Sequence, residues 1–412
     1  MTPLLQIITL AAACLATFLC AASPSAADGL EATTGNVTDS RKLEHLEEAQ
    51  RRHPYDEGIR RRLRSAYLAR GQELMEKRDY EGAAAQFERG QELYPDDAGF
   101  GTLTGIAFYL LGKPDLARYH LERSRGLPGG ETPALFGFLG RIQYDAGDLR
   151  RALEVWEEGL AASPDDAVLL DLAARARREL TVEEGMATGN SSRFLITYDG
   201  SVRVEAAALV LEELETAMRV VGSDLEWYPE NAIPVILYTR RDYRSVTESP
   251  DWSGGSYDGK IRLPVGGVQT VTPQLRAILR HEYTHAVVHA LTRGNCPVWL
   301  NEGLAEYQGR RVHDVPLADL QLALKQRSVS LAPPDGSFAG LKGEEARLAY
   351  EISCSLVTHM VRSYGMHKVR DLLLELGQGK GVADAAASAF ADLGLSFAEM
   401  LQEWRHALMQ GS

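Results

Sequence analysis

The sequence predicts an α+β protein in two parts, an all-α array of helical repeats followed by an α+β domain. Three observations predict this. Apolar residues recur at three- and four-residue spacing from about residue 41 to 180, with little strand signal. Within that stretch Gly71, Gly105 and Gly140 return at intervals of 34 and 35 residues. Beyond residue 193, short strand-like runs alternate with helical ones, and after residue 272 the chain reads as largely helical.

Bulk properties set the frame. A chain of 412 residues exceeds what one core usually organises, so two folded units plus a targeting segment are expected. Apolar residues at 45% and charged residues at 25% are ordinary for a globular protein and exclude a compositionally disordered chain. A formal charge of -13 argues against a nucleic-acid binder, because neutralising phosphates needs a basic face and none stands out.

Residues 4 to 22 form an apolar run without a charge, and Ser25-Ala26-Ala27 supplies small residues for cleavage before Asp28. Residues 1–27 therefore read as a secretion signal, giving a periplasmic or secreted protein. Met1-Thr2-Pro3 carries no Lys or Arg, and the run is nearly long enough to span a bilayer, so a retained membrane anchor is the alternative. Cys20, after Phe18-Leu19, lacks the small preceding residues of a lipidation site. Removal of the signal leaves Cys296 and Cys354, an even pair that permits one disulfide or two buried thiols. Residues 28–40 read as a mobile leader.

The repeats fill 41–180. Each glycine is followed by a second matching set: Ala83, Phe87 and Pro95, then Ala117 and Leu121, then Ala152, Trp156 and Pro164. Small residues let two antiparallel helices approach, and large apolar ones fill the space between neighbours. This pattern, over residues 64 to 166, resembles the tetratricopeptide repeat, with departures at Arg70 and Gly129. The resemblance implies a concave face for a peptide or partner protein; the alternative is a rigid spacer. Residues 181–192, with Gly185, Gly189, Asn190 and two serines, read as a linker.

The second domain, 193–412, opens with a strand at 194–198, a helix at 204–221 and a strand at 233–238. Residues 257–264 then suggest an extended edge segment closed by Pro264. A helix follows over residues 272 to 292, bracketed by Pro273 and Gly294. It carries Arg280-His281-Glu282-Tyr283-Thr284-His285. His281 and His285 are one turn apart, so both imidazoles can reach one metal ion, while Glu282 stands on the neighbouring face and can accept a proton. Catalytic zinc generally takes three protein ligands and keeps a position for water. Sixteen residues separate His285 from Glu302, enough for the helix to end and a second to return, and Glu306 follows one turn later.

These residues resemble the gluzincin branch of the HExxH zinc metallopeptidases, and more closely a bacterial family in which a peptidase domain follows tetratricopeptide repeats. The resemblance covers about residues 193 to 408. It implies a zincin-like fold, one Zn2+ held by His281, His285 and Glu302, and Glu282 as catalytic base. It also implies that Glu306 orients a ligand imidazole, that Tyr350 donates to the oxyanion, and that Gly259 to Leu263 pairs with substrate backbone. Metzincin spacing is absent, since Val288 and Leu291 stand where that group needs Gly and His. His289 has drifted around the helix, and His313, His359 and His367 lack ligand partners at useful spacing. Cys354 lies one turn after Tyr350, so a bond to Cys296 would tie the segment before Glu302 to the Tyr350 helix. The reading is thus an exported zinc peptidase acting on a peptide or protein, with repeats that recruit substrate or a partner. The alternatives are a catalytically silent zinc-binding scaffold and a hydrolase of non-peptide amides.

Overall fold

The computed structural model describes residues 40–410, apart from 201–203, 248–253, 266–269, 327–329, 335 and 342. The expected signal, 1–27, and the leader up to residue 39 lie outside the described residues. Among the described residues no helix is long and apolar enough to cross a membrane. The chain divides into two compact units between Arg177 and Arg178.

The first unit is all helix: α1 (Ser40–Arg52), α2 (Glu57–Glu76), α3 (Tyr80–Leu93), α4 (Ala98–Leu110), α5 (Pro114–Arg125), α6 (Pro133–Asp145), α7 (Leu149–Ala162) and the start of α8 (Ala167–Glu183). Local chemistry starts these helices. Asp56, Asp79, Asp97, Thr132 and Asp148 each accept a backbone N–H of the first turn, and Pro114 and Pro133 open their helices with a preset φ. The recurring glycines are the points where paired helices touch. A Cβ at Gly71 would lie 2.2 Å from the Phe87 ring, one at Gly105 2.6 Å from Leu121, and one at Gly140 2.2 Å from Trp156. Each partner is the large apolar residue that recurs in the second helix of the pair. Successive pairs meet the same way, with Gly90 of α3 against Phe100 of α4 and Gly159 of α7 against Leu169 of α8. Helix approach, repeated three times, is what the period of the sequence records.

The second unit sets a five-stranded mixed sheet among helices. Its strands are β1 (Ala187–Asn190), β2 (Phe194–Tyr198), β3 (Ile233–Leu237), β4 (Ser256–Tyr257) and β5 (Ile261–Leu263), in the order β1-β2-β3-β5-β4. β2, β3 and β5 run parallel; β1 and β4 pair antiparallel at the two ends. The helices are α9 (Val204–Leu225), α10 (Arg240–Thr247), α11 (Pro273–Thr292), α12 (Val298–Arg310), α13 (Ala318–Gln326), α14 (Gly343–Tyr364), α15 (Met366–Gly377), α16 (Val382–Ala389) and α17 (Phe397–Gln410). Along β2 the side chains alternate, so that Phe194, Ile196 and Tyr198 turn into a core shared with Val210 and Leu214 of α9 and Leu279 and Tyr283 of α11. Phe194 meets the Tyr283 ring edge-on at 5.9 Å, which seats α11 against the sheet.

A smaller cluster, Ile236, Tyr238, Tyr243 and Val246, gathers separately with Val182 and Met186. Here Arg262 of β5 is fully buried and donates to Glu179 at 2.9 Å, with Lys260 3.5 Å from the same carboxylate. Buried charges persist only when paired in this way, and β5 is thereby held from a second direction.

Two strand readings change. Residues 187–190, inside the expected linker 181–192, form strand β1 against β2. The expected edge segment Gly259 to Leu263 is also corrected: Ile261–Leu263 lies between β3 and β4, and all three residues are buried. The chain turns back through Gly259, at φ 102°, after Ser256–Tyr257 has taken the outer position.

Candidate metal centre

Helix α11 starts where Thr272 accepts the Leu275 N–H and ends in a left-handed pair, Arg293 at φ 49° and Gly294 at φ 73°. Asn295 fixes the turn that follows, donating to the carbonyls of Leu376 at 2.8 Å and Lys380 at 3.1 Å. The chain returns as α12, pressed so closely to α14 that a Cβ at Gly303 would stand 2.5 Å from the Ser353 carbonyl oxygen. That close approach carries Glu302 to the imidazoles of α11.

His281 Nε2 lies 3.6 Å from Glu302 Oε2, and His285 Nε2 lies 3.5 Å from the same oxygen. The two rings are nearly perpendicular, at 84°, with centroids 4.7 Å apart. Among the described residues these three form the one cluster whose ligand atoms all lie within 4.8 Å of one another. Four donors about 2.1 Å from a tetrahedral ion stand roughly 3.4 Å apart, close to the spacings found here. Two imidazoles and one carboxylate, with no thiolate in the set, are also the donor types that catalytic zinc accepts. The residues fit the ion.

Both imidazoles are held from behind. His285 Nδ1 lies 3.0 Å from Asn301 Oδ1, and His281 Nδ1 lies 3.4 Å from Glu306 Oε1. With Nδ1 donating outwards, each Nε2 keeps its lone pair for a metal. Asn301 has no role in the sequence reading. The signal for it was its place immediately before the acidic residue that follows the motif helix.

Charges in the centre favour a cation. Burial opposes charge on His281, but Glu302 and Glu306 outweigh it and raise its pKa well above the usual imidazole value. Burial also works against ionising Glu302, yet His285 and His281 hold its carboxyl below the ordinary range. For Glu306, burial is overcome by His281 and then Arg310, bringing the carboxyl down to about 2. Glu282 goes the other way, because burial raises it more than His281 and His285 lower it. Its Oε2 is buried and accepts no hydrogen bond in the structure. A buried carboxylate oxygen left without a protein donor, on a residue that lines a cavity, is suited to receive a proton.

That cavity has a volume of about 620 Å³ and is lined by Gly254, Gly255, Ile278, His281, Glu282 and Tyr350, among others. Tyr350 lies near the centre, its ring edge against Phe338 at 5.2 Å; burial, then the charges of Glu302 and Glu282, push its phenol up, so it stays a donor. Gly255, just before β4, was not singled out from the sequence. A Cβ there would lie 2.6 Å from Glu282 Oε1, so any larger residue would push this carboxylate aside. Gly255→Ala is expected to leave the metal content unchanged and to lower kcat/KM for a cleaved peptide about 100-fold by displacing Glu282. Parent-level kcat/KM would show that the contact is of no consequence.

The remaining candidates lie apart. His289 meets the Tyr257 ring at 5.9 Å and is outside the ligand cluster. His313 stands 3.5 Å from Gln274 at the cavity wall, and His359 packs on Tyr364. Of the two alternatives left open for the cysteine pair, the structure has free thiols at both Cys296 and Cys354. Cys296 lies ahead of α12 and Cys354 within α14. Burial keeps both protonated, raising Cys354 to about 11.

Residues 230–410 match the sequence model of the Peptidase MA superfamily, which supports a zincin-like peptidase domain. The match takes in α11, α12 and α14 and leaves the helical repeats outside it. No curated protein matches the chain.

Proposed function

We propose that the chain is an exported zinc-dependent peptidase in which His281, His285 and Glu302 hold one Zn2+ and Glu282 is the general base. One observation carries the reading. Three ligand atoms converge within 4.8 Å beside a buried carboxylate oxygen that accepts no hydrogen bond. A purely structural zinc site has no use for that fourth group.

Zinc bound there would polarise a substrate carbonyl and make a water acidic enough to lose a proton near neutral pH. Glu282 takes that proton as the water attacks, and returns it to the departing amine. Burial, which raises its pKa, favours holding the proton between the two transfers. Tyr350, kept protonated, donates to the oxyanion that develops on the attacked carbonyl. Asn301 and Glu306 keep the imidazoles aimed throughout. An extended substrate lies along the β4 end of the sheet, next to the cavity. The helical repeats recruit substrate or a protein partner, and residues 1–27 direct export.

The reading is tested by mass spectrometry of a peptide library incubated with the purified protein. Cleavage at peptide bonds is expected, stopping when 1,10-phenanthroline is added and returning with zinc. Products formed only from non-peptide amides, or cleavage indifferent to the chelator, would contradict it.

A further inference from the structure

Glu302, Glu306 and Arg310 follow one another at four-residue intervals on α12 and so form a single stripe along it. The middle residue uses its two oxygens on opposite sides. Glu306 Oε1 faces His281 Nδ1 at 3.4 Å, and Glu306 Oε2 accepts from Arg310 Nε at 3.0 Å. Arg310 is itself held twice, because its Nη1 donates to the Val315 carbonyl in the loop that follows the helix. Its side chain is 18% exposed and lines the same cavity as His281 and Glu282. The centre therefore packs three carboxylates, Glu282, Glu302 and Glu306, around two imidazoles, with Arg310 the cation paired to the outermost of them.

We propose that Arg310 is a positioning residue for metal binding: it clamps Glu306 so that this carboxylate holds the His281 imidazole in its ligand orientation. The inference rests on the metal-centre reading above and extends it beyond the ligands and their immediate partners. The clamp works by geometry. A guanidinium presents its nitrogens in a rigid plane, so one fixed on the Val315 carbonyl can hold Glu306 Oε2 at a set distance and angle. A lysine ammonium at the same position can pair with Glu306 but has no second, planar nitrogen for Val315.

The sign of the effect separates positioning from simple charge. Removing a positive charge near a cation site, taken alone, tightens cation binding. Loss of an oriented partner behind a ligand histidine weakens it, by about 10- to 100-fold for residues in direct contact. The test is zinc affinity, read by competition with a fluorescent chelator on the full chain stripped of metal, for the parent, Arg310→Met, Arg310→Lys and Glu306→Gln. The thermal midpoint of each metal-free protein is recorded alongside.

The expected result is an affinity lowered about tenfold in Arg310→Met, at the weak end of that range, with an intermediate value in Arg310→Lys. The metal-free midpoints stay close to the parent's. Because Arg310 acts through Glu306, adding Arg310→Met to Glu306→Gln should produce no further loss. Unchanged or tighter zinc binding in Arg310→Met overturns the inference, as does an equal loss in the Glu306→Gln background. Should Arg310→Met fail to fold, Arg310→Lys decides: affinity equal to the parent's overturns the clamp, and a partial loss supports it. A parent that binds no zinc at all defeats the metal-centre reading itself, a result distinct from failure of the clamp alone.

Discussion

Glu282→Gln is expected to keep zinc at the parent level and to lower peptide cleavage by about 10²- to 10⁴-fold, the range general acid–base groups contribute. The substitution is nearly isosteric. Glu282 is 4% exposed, and its Oε2 accepts no hydrogen bond that an amide would break. It is also absent from the ligand cluster, so the metal has no reason to leave. What an amide cannot do is accept a proton, which is the whole of the role assigned to this side chain. Turnover of a fluorogenic peptide by the two proteins, compared at equal zinc content, measures the effect. Equal turnover would remove Glu282 from the chemistry.

His285→Ala has the second large effect, expected in binding. The imidazole is one of the three proposed ligands, and its ring nitrogens face Glu302 on one side and Asn301 on the other. Deleting it leaves two ligands of the three that catalytic zinc sites normally retain, and it strips Asn301 Oδ1 of its imidazole partner. Loss of bound zinc follows, and cleavage is lost with it. The fold should survive. The helix is fixed by Leu279, Tyr283, Ala286 and Val287 in the core, while His285 faces the centre.

The readable parts of this molecule are those in which one helix meets another at fixed spacing. Gly71, Gly105 and Gly140 were visible because the partner of each, Phe87, Leu121 and Trp156, lies sixteen residues further on in every repeat. Likewise, His281 and His285 could be paired because a helical turn fixes their relation, and Pro273 and Gly294 marked where the helix had to begin and end.

Features that depend on contacts between distant segments were not readable. Ser256–Tyr257 and Ile261–Leu263 are both short, and which one lies outermost depends on the turn at Gly259 and on the buried pairing of Arg262 with Glu179, 83 positions earlier in the chain. Strand β1 was hidden because four residues, Ala-Thr-Gly-Asn, carry no alternating apolar signal. Gly255 follows Gly254 in the sequence, and only its contact with the Glu282 carboxylate sets it apart from a loop glycine. The thiols looked pairable because Cys296 precedes the Glu302 helix and Cys354 follows Tyr350 by one turn, but both are free in the structure.

The central claim is that one divalent ion sits between His281, His285 and Glu302. Zinc per chain, determined by inductively coupled plasma mass spectrometry after zinc loading and gel filtration, tests it most directly. The account predicts one zinc in the parent and in Glu282→Gln and none in His285→Ala; a metal-free parent, or zinc retained in full by His285→Ala, would contradict it.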